Sequence, residues 1–130
     1  MTQEYGLKSK ANLATVHPDL QRVMEEAIKE APYDFSITEG LRSLERQKQL
    51  FADKKSSTMK SRHLTGHAVD VAIIIDGKAN WEMDKYKELA THVEAIAASL
   101  GVAIECGAFW QRFPDGPHIQ LTHEEYPNAA

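Results

Sequence analysis

Cys106 is the single cysteine in 130 residues, so no disulfide can form within the chain and the fold does not depend on an oxidising compartment. No stretch approaches the roughly 18 apolar residues of a membrane-spanning helix, so no membrane insertion is expected. The opening MTQEYGLKSKANLATVHP has no apolar h-region, and no secretory signal peptide is expected from it. There are 15 Lys and Arg against 19 Asp and Glu, a net charge of −4, which argues against a nucleic-acid partner. Internal repeats and low-complexity segments are also lacking. What remains is a chain of one-domain length with 42% apolar residues, enough to bury a core without staples. A single domain over 1–130 is expected, with no inter-domain linker.

Leu20, Val23, Met24, Ala27 and Ile28 recur at three and four residues in PDLQRVMEEAIK. This predicts a helix over 18–29 that opens on Pro18, a residue suited to a first helical turn. Phe35 and Ile37 alternate in APYDFSITEG, predicting a strand that Gly40 ends. SLERQKQLFADKK predicts a second helix, capped by Ser43, with Leu44, Gln47, Leu50 and Phe51 on one side. Residues 56–66 are polar and read as a loop. HAVDVAIII predicts a strand over 67–75, followed by an Asp76-Gly77 turn. The longest helix is predicted over 81–101, with Tyr86, Leu89, Ala90, Val93, Ile96, Ala97 and Leu100 apolar and Gly101 as its cap. VAIEC and PHIQLT predict two further short strands, and the tail after Tyr126 is expected to be loose. The order favours an α+β domain with a small, mainly antiparallel sheet packed by about three helices.

The chemistry concentrates in SRHLTGHAVDVAIIIDG, residues 61–77. In a strand over 67–75, Val69, Val71 and Ile73 point one way and Ala68, Asp70 and Ala72 the other. A carboxylate inside such a strand is costly unless it is paired or binds a metal. The preceding loop can bring His63 back to Asp70. For a third ligand the chain offers His17, His67, His92, His118, His123 and Cys106. His118 stands out because it opens HIQL, and Gly116-Pro117 would aim its imidazole. Two His and one Asp leave a coordination position for water, the layout of a catalytic zinc. Asp115, three residues before His118, could serve as the base for that water, and Arg42 could offer a fixed cation to an oxyanion. Plainer readings stand beside these. Asp70 could be a salt-bridge partner, Arg42 could pair with Glu39 or Glu45, and Asp115 could be a turn residue in PDGP. Cys106 reads as a buried strand cysteine rather than a ligand.

SRHLTGHAVD resembles the Ser-x-His-x-x-Gly-x-Ala-x-Asp signature of a family of bacterial cell-wall zinc peptidases, through Ser61, His63, Gly66, Ala68 and Asp70. That family comprises DD- and LD-carboxypeptidases and L-alanyl-D-glutamate endopeptidases. EGLRSLERQ is similar to its Gly-x-Arg-Ser-x-x-x-Gln segment, through Gly40, Arg42, Ser43 and Gln47. DGPHIQL is similar to its Asp/Glu-x-x-His segment, through Asp115 and His118. The three motifs run in order from residue 40 to 121, and the ending ECGAFWQRFPDGPH looks most like the phage endolysin and CwlK-like branch. Where the family often has Gly-Gly-Asp-Trp, this chain has Gly107-Ala108-Phe109-Trp110.

The resemblance implies a hedgehog/DD-peptidase-like fold. It implies zinc held by His63, Asp70 and His118, with Asp115 as catalytic acid/base and Arg42 steadying the oxyanion. Gln47, Ser61 and Trp110 would then bind or flank substrate, and His67, on a variable position, would lie outside the zinc ligands. The implied activity is cleavage of the L-Ala–D-Glu bond of peptidoglycan stem peptides by zinc-activated water. The alternatives are a D-Ala-D-Ala carboxypeptidase or dipeptidase of the same family, and a non-catalytic zinc-binding module. No separate cell-wall-binding domain is visible and a monomer is expected. A phage enzyme of this kind would wait in the host cytoplasm until a holin-type pore opened the way to the periplasm.

Overall fold

In the computed structural model, which describes residues 3–56 and 58–127, the apolar run after the two histidines becomes the spine of a sheet. Strand β2 (Ala68–Ile75) pairs antiparallel with β1 (Asp34–Glu39) on one side, and with β5 (His118–Leu121) on the other. Strand β4 (Ile104–Cys106) adds to β5, so the order is β1-β2-β5-β4, with every pairing antiparallel. Val69, Val71 and Ile73 all enter the core, as alternation predicts.

Helices α2 (Pro18–Ala27) and α4 (Met83–Leu100) cover that core face. Leu20, Val23, Met24 and Ala27 of α2 are fully buried, and Leu89, Val93 and Ala97 of α4 join them. Pro18 opens α2 at its first turn. Gly101 closes α4 at φ +72°, in the left-handed region that favours glycine. Asp70 and the cleft it faces lie on the opposite side of the sheet.

The helix count differs from expectation. A fourth helix, α1 (Leu7–Leu13), precedes the predicted ones. It has no apolar stripe, since only Ser9 and Leu13 are buried. Its purpose is polar: Ser9 Oγ accepts the Ile37 N–H at 2.9 Å, and Asn12 Nδ2 donates to the Ile37 carbonyl at 2.8 Å. Two side chains thus satisfy the outward N–H and C=O of Ile37 on the edge of β1. Hydrophobic periodicity cannot reveal such a helix.

Two other elements are also new. Asp76 and Gly77, both at positive φ, form the predicted turn, and the chain doubles back as a short strand β3 (Lys78–Asn80) on β2. Within the predicted loop 56–66, Arg62–Thr65 forms a 3₁₀ turn closed by Gly66 at φ +74°. Helix α3 (Leu44–Ala52) forms and is capped by Ser43, but its expected apolar side does not join the core. Leu44 and Phe51 are about half exposed and Gln47 is its one buried residue. The C-terminal segment is held at Tyr126, whose hydroxyl donates to Asp19 at 2.7 Å and whose carbonyl accepts from Arg62 at 2.7 Å. Of the tail after Tyr126 that was expected to be loose, Pro127 is exposed and 128–130 lie outside the described residues.

Candidate active site

Sheet register brings the first two site residues together. Asp70 of β2 and His118 of β5 lie directly opposite each other, so their side chains share one face. His118 Nδ1 stands 3.2 Å from Asp70 Oδ1. The third arrives from the 3₁₀ turn. Ser61 Oγ accepts the His63 N–H at 3.2 Å and starts that turn, which delivers His63 Nε2 to within 3.1 Å of the same Asp70 oxygen. One ligand atom from each of His63, Asp70 and His118 lies within 4.8 Å of the others.

The outward-facing nitrogens fix what the inward-facing ones can do. His63 Nδ1 meets the Gly40 carbonyl at 2.9 Å, and His118 Nε2 meets Gln120 Oε1 at 2.7 Å. Gln120 Nε2 donates in turn to Glu105 at 2.7 Å, which keeps its oxygen towards the imidazole. Both outer partners are acceptors, so each histidine carries its proton there. That leaves His63 Nε2 and His118 Nδ1 as bare lone pairs converging on a carboxylate oxygen. Three acceptors in one place need a cation between them, and two imidazoles with one carboxylate suit a first-row divalent ion. The residues present therefore fit a metal.

The electrostatics agree. Burial pushes the Asp70 carboxyl up, but whenever His118 and His63 also carry a proton on the nitrogens that face it, their hydrogen bonds and positive charge outweigh burial and hold the carboxyl well below the usual range. Burial pulls His118 down, yet Asp70 prevails and the imidazole is raised. Asp115 is exposed at the cleft rim. Enclosure of its carboxyl and the negative charge of Asp70 raise it, against the pull of His118, His63 and Arg42.

Arg42 lies beside this group, with Nη2 3.6 Å from Asp70 Oδ2. Glu39 takes its Nε and Nη2 protons, the first at 2.9 Å, and Gln47 Oε1 takes one from Nη1 at 2.7 Å. The pairing of Arg42 with Glu39 and its approach to the site thus hold together. The register of β1 shifts between Ile37 and Glu39, next to Asp70, and re-aims this end of the strand towards the site.

Gln47 is a correction. The resemblance made it a substrate contact, but it is fully buried. Its amide is spent on Arg42, on Ser56 at 3.0 Å and on the Thr58 carbonyl at 2.5 Å, so it positions Arg42 instead. Ser61 and Trp110 both line the cleft, and the Trp110 ring sits 5.1 Å from that of His118. The other histidines lie elsewhere or do other work. His17 caps α2, His92 bonds the Ala27 carbonyl, and His67 bonds Thr65 at 2.6 Å, outside the cleft lining. Cys106 is buried against α4 and burial pushes its thiol up to about 12, so it is neither ligand nor nucleophile.

Gly40 and Gln120 were missed as partners of the histidines, and Glu105 as the partner of Gln120. Strand period was the available signal for Gln120, which shares a face with His118 two residues on. Gly107 was missed as well. A Cβ there would stand 2.4 Å from the Asp115 carbonyl and 3.1 Å from the His118 Cβ, and Gly107 accepts the Asp115 N–H at 2.9 Å. Only glycine lets the chain carrying Asp115 approach so closely. Gly107→Ala is expected to displace Asp115 and lower the rate of peptide cleavage by about 10–100-fold. Initial rates alongside metal content check this; a variant with wild-type rates would contradict it.

Comparison with known proteins gives the same picture. A family model described as phage L-alanyl-D-glutamate peptidase matches residues 1–123. The L-alanyl-D-glutamate peptidase of Escherichia phage T5 is 34% identical, over 93% of this chain and 99% of its own. The peptidoglycan L-alanyl-D-glutamate endopeptidase CwlK of Bacillus subtilis is 31% identical, over 82% of this chain and 73% of its own. The crystal structure of the Serratia marcescens L-Ala D-Glu endopeptidase ChiX matches with a TM-score of 0.89 at 43% identity, over 96% of this chain and 95% of that one.

Proposed function

The chain belongs to the family of phage L-alanyl-D-glutamate peptidases, and on that premise we propose that it is a peptidoglycan hydrolase cutting the L-Ala–D-Glu bond of stem peptides, with zinc held by His63, Asp70 and His118. The observation that carries this reading is the convergence of two imidazole lone pairs on Asp70 at the floor of a cleft that Asp115 also lines. Zinc bound there supplies Lewis acidity and acidifies water, to a pKa of about 7 in well-characterised hydrolytic sites.

The chain's own groups do the rest. Asp115 takes the proton of the attacking water and passes it to the D-Glu amine as the bond breaks. A carboxyl raised by its enclosure and by Asp70 suits a group that must hold a proton between two steps. Arg42 keeps a fixed positive charge where the carbonyl oxygen gathers negative charge. Three of its five N–H donors are taken by Glu39 and Gln47, which locks its plane and leaves two for the cleft. Ser61 holds the His63 turn and Trp110 walls the substrate against His118.

The same reading makes 1–130 a single catalytic domain that acts as a monomer. The match across 99% of the T5 peptidase supports that extent. Among the described residues no helix is long and apolar enough to cross a membrane. The enzyme would accumulate in the host cytoplasm and reach periplasmic peptidoglycan through a holin-type pore, which the phage source of that relative supports.

Metal binding should depend on pH in a definite sense. His118 must lose its proton to bind zinc, and Asp70 holds that proton more tightly than usual. Zinc affinity, measured by competition with a chromophoric chelator, is therefore expected to rise with pH through about 6 to 8 and then level off. A flat profile over that window would contradict the ligand assignment. The bond itself is tested by end-group analysis of digested Gram-negative peptidoglycan. New D-Glu amino termini are expected. Free D-Ala would move the enzyme to the carboxypeptidase alternative, and no product would leave a zinc-binding module.

A further inference from the structure

The cleft is a volume of about 1400 Å³ between the two edges of the sheet. Helix α3 and the segment after it follow edge strand β1, and residues 107–115 follow edge strand β4, so these form its opposite walls. Its charge is opposite to that of the protein. Seven of the 15 Lys and Arg line it but only three of the 19 Asp and Glu, leaving eight cations against sixteen acids elsewhere. Four of them, Lys54, Lys55, Lys60 and Arg62, come from one short stretch, and the fold brings Arg42, Arg46 and Arg112 to the same cleft. Two of the seven are committed, Arg42 to Glu39 and Arg62 to backbone carbonyls near the C-terminus.

Arg46, Lys54, Lys55 and Lys60, all on the α3 side, and Arg112 opposite them remain exposed. None of these five makes an ion pair among the described residues. Helix electrostatics account for only part of them. A cation at the end of α3 suits the helix dipole, but Arg46 lies in the first turn, where an anion is favoured. Lys54 closes α3 at φ +59°, a conformation that glycine adopts with less strain. Lysine there keeps an ammonium at the rim of the cleft at a conformational cost.

The chemistry of a stem peptide is asymmetric about the bond to be cut. D-Glu continues the chain through its side-chain carboxyl, so its α-carboxylate stays free. The diamino acid and the terminal D-Ala bring further carboxylates, whereas the L-Ala side is acylated and brings none. We infer that Arg46, Lys54, Lys55 and Lys60 form a wall that reads the free carboxylates on the D-Glu side, so that the enzyme selects stem peptides whose carboxyls are not amidated. The inference rests on the stem-peptide reading above and adds the orientation of the substrate and a basis for its selection.

The test compares two N-acylated tetrapeptides, L-Ala-γ-D-Glu-diaminopimelyl-D-Ala and the same peptide with the D-Glu α-carboxyl as carboxamide. Zinc-loaded wild type is expected to favour the carboxylate form about tenfold in kcat/KM, mainly through KM, with the preference shrinking at high salt. In the triple variant R46Q/K54Q/K55Q the preference is expected to fall to about twofold or less, with a smaller loss of rate on the carboxamide, which keeps its diaminopimelyl and D-Ala carboxylates, than on the carboxylate form. Lys60→Gln, outside the helix, is expected to lose part of the preference without any change in α3. Equal cleavage of both peptides by the wild type would overturn the inference and leave the peptidase reading standing. Variants that keep the full preference would do the same. Failure to cut either peptide would sink the peptidase reading, and the inference with it.

Discussion

His118→Ala is expected to abolish zinc binding and peptidoglycan cleavage together, with at least about a 10³-fold loss of activity. The reasoning starts from register. His118 and Asp70 are cross-strand partners, so removing one imidazole deletes a ligand that no neighbouring residue can replace. His123 lines the same cleft but lies outside the trio, and Cys106 faces the core. The fold should survive, because the apolar core lies on the other face of the sheet, and circular dichroism checks that. Gln120→Ala makes the informative contrast. It removes only the acceptor that fixes the His118 proton, so zinc affinity should weaken by about 10–100-fold rather than vanish. Equal losses for the two variants would mean that His118 is not a ligand.

Asp115→Ala is expected to separate the two properties. Zinc should still bind near one equivalent, because Asp115 is not among the three converging groups. Activity should fall by about 10²–10⁴-fold, the range for loss of a general acid–base. Metal content by atomic absorption and initial rates on purified peptidoglycan give both readouts. Activity near wild type would return Asp115 to the plain reading of its sequence, a turn residue in PDGP.

How much was legible in advance depends on which physical signal each part carries. Strand alternation placed Val69, Val71 and Ile73 in the core and Asp70 on the other face, because period two is written directly in the sequence. The trio of His63, Asp70 and His118 emerged from the cost of a carboxylate inside a strand and from the spacing of the motifs. Helix α1 did not, since what it contributes is hydrogen bonds from Ser9 and Asn12 to an edge strand, and no hydrophobic pattern records those. The role of Gln47 was misjudged for a related reason. A glutamine near a site looks the same in sequence whether its amide meets substrate or, as here, buries itself against Arg42 and Thr58. Nor could the close approach of Gly107 to Asp115 be read, because it depends on how β4 and β5 lie in space. The basic wall of the cleft was not read in advance either: Lys54, Lys55 and Lys60 lie within seven residues, but nothing along the chain shows that they face the same cleft as Asp70.

The central claim is that the metal held by His63, Asp70 and His118 performs the cleavage. The most direct measurement is to strip the protein of metal, add zinc back in fractions of an equivalent, and follow the appearance of D-Glu amino termini from purified peptidoglycan. Activity is predicted to be absent without metal and to rise linearly to a plateau at one equivalent, with no recovery in His118→Ala. Full activity in the stripped protein, or recovery in that variant, would contradict the account.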